Sequence, residues 1–172
     1  DLVEKVTGRP FRSYFRDEIS GPLGLDSIDF GARGPMLRRV ARNYVTGFRY
    51  DGLVDRYLHR AIGTTLAHAT ELSNDPRFYR AVIPAGNGFA TADDAGAFFQ
   101  CLLDGGRLGR KRVFQPLTVR RAITEVGKPE IDRSLLLPLR YSAGMMLGTS
   151  PFGLYGPATA QAFGHLGFTG TS

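Results

Sequence analysis

A chain of 172 residues suffices for one ordinary core, and its 42% apolar and 11% aromatic content is that of a globular rather than a disordered chain. No run approaches the ~20 uninterrupted apolar residues that a membrane-spanning helix requires. The formal charge of +6 comes from 22 basic against 16 acidic residues, nearly all the basic ones arginine. The arginines are dispersed except at Arg38-Arg39-x-x-Arg42, Arg110-Lys111-Arg112 and Arg120-Arg121, so most of them belong to a solvated surface.

The opening "LVEKVTGRPFRSYF" reads as the last turns of one helix, a stop, and the start of another. Leu2, Val3 and Val6 share a face, Gly8 supplies a helix end, and Pro10 suits the first turn that follows. Phe11, Tyr14, Phe15 and Ile19 then make a buried stripe, which "SGPLGLDS" breaks. After the Gly/Pro break "GARGP", helical candidates run over 36–44 and 53–69. The second carries His59 and His68, nine residues apart and therefore not on adjacent turns of one face, which argues against a metal pair.

In "TADDAGAFFQCLLDGG", Thr91 and Asp94 form a capping pair, and Asp93 and Asp94 suit the positive end of a helix. Ala95, Phe98, Phe99, Leu102 and Leu103 follow helical spacing, and Gly105-Gly106 ends the element. The lone Cys101 on this helix excludes an internal disulfide and reads as a small core residue. "PAGNGFA" before it is a glycine-hinged loop, and "LTVRRAI" behind Pro116 is a further short helix. Beyond Lys128, "LRYSAGMMLG" and "AFGHLGFTG" carry strand-compatible residues, with the Gly/Pro-rich "TSPFGLYGPA" as their connection. Helices first and strands later predict an α+β fold, a helical region beside an antiparallel sheet, with 1–127 mostly helical and 128–172 strand-rich within one domain.

The chain lacks Gly-x-x-x-x-Gly-Lys-Ser/Thr, Gly-x-Gly-x-x-Gly, His-Glu-x-x-His and any cysteine pair, so no phosphate-bound cofactor or metal is expected. The final "GTS" matches only the first half of a Gly-x-Ser-x-Gly elbow. The main chemical candidate is His165-Leu166-Gly167-Phe168. A strand that presents an imidazole, then a glycine with no side chain to block approach, then a backbone N–H, suits an acyl group and its oxyanion. A structural role for a histidine in such a glycine-rich strand stays open at this point.

Four segments in order resemble the serine β-lactamase-like family, which includes class C β-lactamases, D-alanyl-D-alanine carboxypeptidases and related esterases. "LVEKVTGRPFRSYFRDEISGPLGL" is similar to its helix-turn-helix ending in Pro-Leu-Gly, and "PAGNGFATADDAGAFFQCLLDGGRL" to its Gly-Gly-x-x-Ser-Thr-x-x-Asp segment. "YSAGMMLG" resembles the Tyr-Gly-x-Gly-x strand, and "FGHLGFTGTS" the Lys-Thr-Gly strand in its His-x-Gly form, which is common in the esterase-like branch. The resemblance implies that His165 stands at the family's Lys, Leu166 at its Thr and Gly167 at its Gly. The N–H of Phe168 then becomes one of two oxyanion donors.

The implied mechanism is acyl transfer to a serine, activated by a lysine one helical turn later and a nearby tyrosine, and then hydrolysis. Neither Ser-x-x-Lys nor Tyr-x-Asn occurs: Tyr44 is followed by Val-Thr and Tyr141 by Ser-Ala. The resemblance thus implies an interior piece of a longer enzyme, incomplete at both ends, inert alone, whose parent acts on a small-molecule ester or amide. An ester is favoured, because His-x-Gly lacks the fixed cation that would meet a β-lactam carboxylate, and Phe152, Phe163 and Phe168 suit an apolar acyl pocket. A non-catalytic scaffold that binds peptides or proteins is the alternative. A nucleic-acid module on the arginines of 33–60 finds no recognition motif or stacking platform to accompany the charge. Oligomeric state and compartment are left unassigned.

Overall fold

The computed structural model describes residues 2–46, 52, 56, 59, 60, 63–128, 130–132, 137–151 and 153–165. By internal contacts the chain divides into two units, 1–113 and 114–172. Both helices and antiparallel strands are present, as an α+β fold requires.

In the first unit, α1 (Leu2–Thr7) ends at Gly8, whose N–H donates to the Glu4 carbonyl at 2.8 Å. The Glu4 carboxylate accepts from the Phe11 N–H at 2.9 Å and so caps α2 (Phe11–Phe15), a service Pro10 cannot perform from the position just before the helix. The break expected at "SGPLGLDS" comes later than its first glycine. A π-helical turn, Arg16–Ser20, leads directly into α3 (Gly21–Leu23). The Gly21 N–H reaches back to the Arg16 carbonyl, and a Cβ at Gly21 would lie 2.7 Å from that oxygen, so only glycine fits the widened turn. Pro22 falls in the first turn of α3, where its missing N–H costs nothing. Gly24, at φ 74, stops the helix, with Gly24 N–H bonded to Gly21 and Leu25 N–H to Ser20 at 2.9 Å.

The core of this unit gathers Phe15, Leu23, Leu25, Ala32, Cys101 and Leu102. Phe30 meets Phe11 and Phe15 edge-on, with ring centroids 4.9 and 5.0 Å apart. Strand β1 (Asp29–Phe30) pairs antiparallel with β2 (Gly88–Phe89), and the half-buried Asp29 carboxylate takes a two-pronged grip from Arg12. The long helix here is α6 (Ala92–Leu103), capped by Thr91, whose hydroxyl accepts the Asp94 N–H at 3.3 Å.

The Asp94 carboxylate does not turn back to Thr91. It accepts both the N–H and the hydroxyl of Ser27 at 2.7 Å, while the Ser27 hydroxyl accepts the Thr91 N–H at 3.0 Å. The expected capping pair is therefore recruited to bind a loop 67 residues away in sequence. The buried side of α6 is rotated from the expected stripe: Cys101 and Leu102 are buried, whereas Leu103 is 64% exposed. Burial pushes the Cys101 thiol pKa up. Past α6, β3 (Arg107–Leu108) and β4 (Lys111–Arg112) form a short hairpin.

Between residues 34 and 80 the expectations need correcting. In place of a helix over 36–44 there is a 3₁₀ turn, Gly34–Arg38, and then a stretch without regular structure. Asn43 explains why: its N–H and side chain bond Asn74 and Ser73 at 2.9 and 3.0 Å, and its carbonyl accepts from Asn74 at 2.8 Å, so helical bonding is forgone. The candidate over 53–69 is divided at Gly63, at φ 79. Helix α4 (Leu66–Ser73) starts afresh under a Thr65 cap, and α5 (Pro76–Arg80) follows under an Asp75 cap. His59 and His68 are both exposed, and His68 bonds Thr64 at 2.9 Å. Among the described residues no cluster suits a metal ion.

In the second unit, α7 (Pro116–Ile123) begins at the expected proline and buries Val119. Among the described residues four strands follow, β5 (Glu130–Asp132), β6 (Leu137–Tyr141), β7 (Met146–Leu147) and β8 (Phe163–Gly164), antiparallel and neighbouring in chain order. Among their described side chains, Leu139, Met146 and Leu147 are buried.

Candidate active site

The segment that carries His165 is positioned by the pairing of β7 with β8, Met146 opposite Gly164 and Leu147 opposite Phe163. Short strands of this kind need outside support, and three devices supply it. Ser142 closes the turn between β6 and β7: its hydroxyl accepts the Met145 N–H at 2.9 Å, and its own N–H reaches the Met145 carbonyl. Arg140, on β6, donates to the Gly148 carbonyl at 2.6 Å and grips Glu125 through two nitrogens at 3.1 and 2.9 Å. Gly148 in turn donates to the Ala162 carbonyl at 2.7 Å, which extends the ladder by one bond.

Two glycines permit these approaches. A Cβ on Gly148 would stand 1.8 Å from the Thr159 carbonyl oxygen, and one on Gly164 would stand 3.3 Å from the Tyr155 hydroxyl. Tyr155 lies against the bare Gly164 and donates to the Met146 carbonyl at 3.3 Å, and burial pushes its phenol pKa up. The Arg140 guanidinium holds the Glu125 carboxyl below its usual range. None of these supports is visible in the local sequence: Glu125 and Arg140 lie 15 residues apart, and Tyr155 sits in a stretch legible only as a connection.

His165 follows β8 directly and is exposed to solvent. Gly167 and Phe168, the expected oxyanion residues, lie outside the described residues, as does Phe152. At the β5 side of the sheet, away from β8 in strand order, Val126, Lys128, Ile131, Asp132, Leu139 and Tyr141 line a groove of about 470 Å³. There the Tyr141 hydroxyl donates to Asp132 at 2.7 Å.

The family model described as Beta-lactamase matches residues 1–172. The chain belongs to the Beta-lactamase family. Over 174 residues it is 28% identical to a putative D-alanyl-D-alanine carboxypeptidase of Escherichia coli O157:H7, covering 99% of the chain and 38% of that protein. It is likewise 28% identical, over 193 residues, to the esterase/beta-lactamase LipL of Mycobacterium tuberculosis (strain ATCC 25618 / H37Rv), with 99% and 41% covered. A penicillin-binding protein homolog from Caulobacter crescentus superposes with a TM-score of 0.69 at 28% identity, over 94% of the chain and 42% of that structure. A family VIII carboxylesterase shares the fold, at a TM-score of 0.76 and 22% identity, over 95% and 42%. The chain thus spans about two fifths of the length of these Beta-lactamase relatives. The resemblance read from the four sequence segments and the α+β architecture are both borne out.

Proposed function

We propose that this chain is the strand-bearing part of a serine hydrolase that cleaves a small-molecule ester, or less readily an amide, through an acyl-enzyme whose nucleophile lies outside these residues. The observation that carries this reading is the exposed His165 immediately after Gly164 of strand β8, the position that the sequence resemblance assigns to the lysine of the family's Lys-Thr-Gly strand.

In the reaction the serine oxygen bonds the acyl carbon and yields its proton to the neighbouring base. The carbonyl oxygen becomes an oxyanion held by main-chain N–H groups, Phe168 supplying one. Collapse expels the alcohol or amine, which takes up that proton, and water then releases the acid. His165 meets the substrate beside the acyl group as a hydrogen-bond donor, and Gly167 leaves the approach unobstructed. Names of relatives that include an esterase/beta-lactamase and a carboxypeptidase support the class.

The test is a fluorogenic short-chain ester assayed on the intact protein. His165→Ala should lower kcat/KM by roughly 10²-fold, the size typical of a lost donor or acid–base group, with the thermal midpoint unchanged. Residues 1–172 alone should show no turnover. Equal turnover by the wild type and His165→Ala would remove His165 from the chemistry. Absence of turnover in the intact protein would leave a non-catalytic scaffold.

A further inference from the structure

We propose that residues 33–46 dock the protein peripherally onto an anionic phospholipid surface, independently of the hydrolase reading. The segment holds Arg33, Arg38, Arg39 and Arg42 and no acidic residue. All four arginines are exposed, and among the described residues none of their side chains has a hydrogen-bond or ion-pair partner. Elsewhere in this unit Arg9, Arg12, Arg16 and Arg77 each hold a carboxylate, and Arg80 and Arg112 bond main-chain carbonyls. Charge alone would suit any polyanion, but apolar side chains accompany it. Tyr44 is 73% and Val45 53% exposed, two and three residues after Arg42.

Their exposure is built in rather than the fraying of a loose strand. Asn43 is clamped by Asn74 and Ser73 through its N–H, its carbonyl and its side chain, and Asn74 is itself fixed by the Tyr79 hydroxyl at 3.0 Å. The clamp leaves Asn43 half-buried, while Arg42 and Tyr44 on either side of it are exposed. Leu72, 46% exposed, lies at the end of α4 beside the clamp, and Glu71 is the acidic side chain of that helix. A phosphate-bearing polymer would leave Val45 in water. A bilayer interface accepts both halves: headgroup phosphates take the guanidinium groups, and a tyrosine with an aliphatic neighbour enters the headgroup region.

The experiment is vesicle co-sedimentation of the intact protein with phosphatidylglycerol/phosphatidylcholine vesicles and with pure phosphatidylcholine. Binding is expected only to the anionic vesicles and should weaken steeply with salt. Replacing three arginines together (R38Q/R39Q/R42Q) should weaken it by roughly 10²-fold, about fivefold per arginine. The double variant Y44S/V45S should weaken it about tenfold at unchanged charge. Tyr44→Trp adds a reporter to a segment that has no tryptophan, and its emission, taken as the difference from the wild-type protein, should shift to the blue on anionic vesicles. The proposal is overturned if the intact protein ignores anionic vesicles, if neither variant changes binding, or if a DNA oligonucleotide binds as tightly and Y44S/V45S leaves that binding intact. Retained thermal midpoints in the variants, whose replaced side chains lie outside the core, separate lost docking from lost folding.

Discussion

Residues 11–32 and residues 137–165 bring short pieces of backbone together by opposite means. In the first region side chains fill the space between: Phe11, Phe15 and Phe30 meet edge to face, Arg12 grips Asp29, and Ser27 joins Asp94 and Thr91. In the second, Arg140 still binds a main-chain carbonyl, but two approaches depend on side chains that are missing: Gly148 and Gly164 let a carbonyl and a phenol close in. A contact made by a side chain weakens by degrees when that side chain is trimmed. An approach that depends on a missing one fails when a side chain is added, and approaches of that kind bring up the strand that precedes His165.

Gly148→Ala tests that contrast most severely. Its methyl would stand 1.8 Å from a backbone oxygen that cannot move without opening the turn around Thr159. A loss of about 3 kcal/mol or more is expected, seen as a fall in Tm of roughly 10 °C. Ester turnover should fall with it. A midpoint within a degree of wild type would show that the close approach does not hold the strand.

Asp94→Ala probes the other region. It leaves the Ser27 N–H and hydroxyl without their acceptor and removes an acid from the first turn of α6, for about 2 kcal/mol in denaturant unfolding. Asp94→Asn, which keeps one acceptor oxygen, should cost about half as much. Equal costs would mean that charge rather than hydrogen bonding ties the loop to the helix.

A gentler test uses pH on the Glu125–Arg140 pair. Arg140 holds the Glu125 carboxyl below its usual range, so the pair's contribution is present above the unfolded carboxylate pKa and is lost as pH falls through the lower folded value. Stability of the wild type should therefore decline between about pH 5 and 3 more than that of Arg140→Met. Parallel curves would deny the pair any role in holding β6.

How much of this was legible follows the same division. The Thr91 cap, the Pro116 start and the Gly8 and Gly105-Gly106 stops are rules of one helical turn, and each stands where its residues predict. The pairing of "LRYSAGMMLG" with "AFGHLGFTG" across a glycine- and proline-rich connection was readable as far as β7 and β8, but the first run, read as one strand, is split by the Ser142 turn into β6 and β7. Where a distant partner decides, local reading fails. Asn43 is drawn out of a helical candidate by Asn74, 31 residues away, and Asp94 turns from its own cap to Ser27. The two-residue pairing of β1 with β2 offers no periodicity to detect. At the candidate site His165 stood out by its glycines, whereas Arg140, Tyr155 and Gly148 act through contacts that no local pattern encodes.

The smallest expected effect sharpens the comparison inside the second unit, where the β5–β6 groove is built on side chains while the β7–β8 end is built on their absence. Tyr141 is pushed up to about 12, first by burial and then by its hydrogen bond to Asp132 and that carboxylate's charge. Its folded pKa lies above the unfolded value, so the contribution is complete below about pH 10 and disappears as pH rises towards 12. Asp132→Asn removes the charge but keeps an acceptor. Ultraviolet difference titration should then find Tyr141 ionising below 12 and still above 10, since burial remains the larger cause. A return all the way to the free-tyrosine value would make the carboxylate the dominant cause.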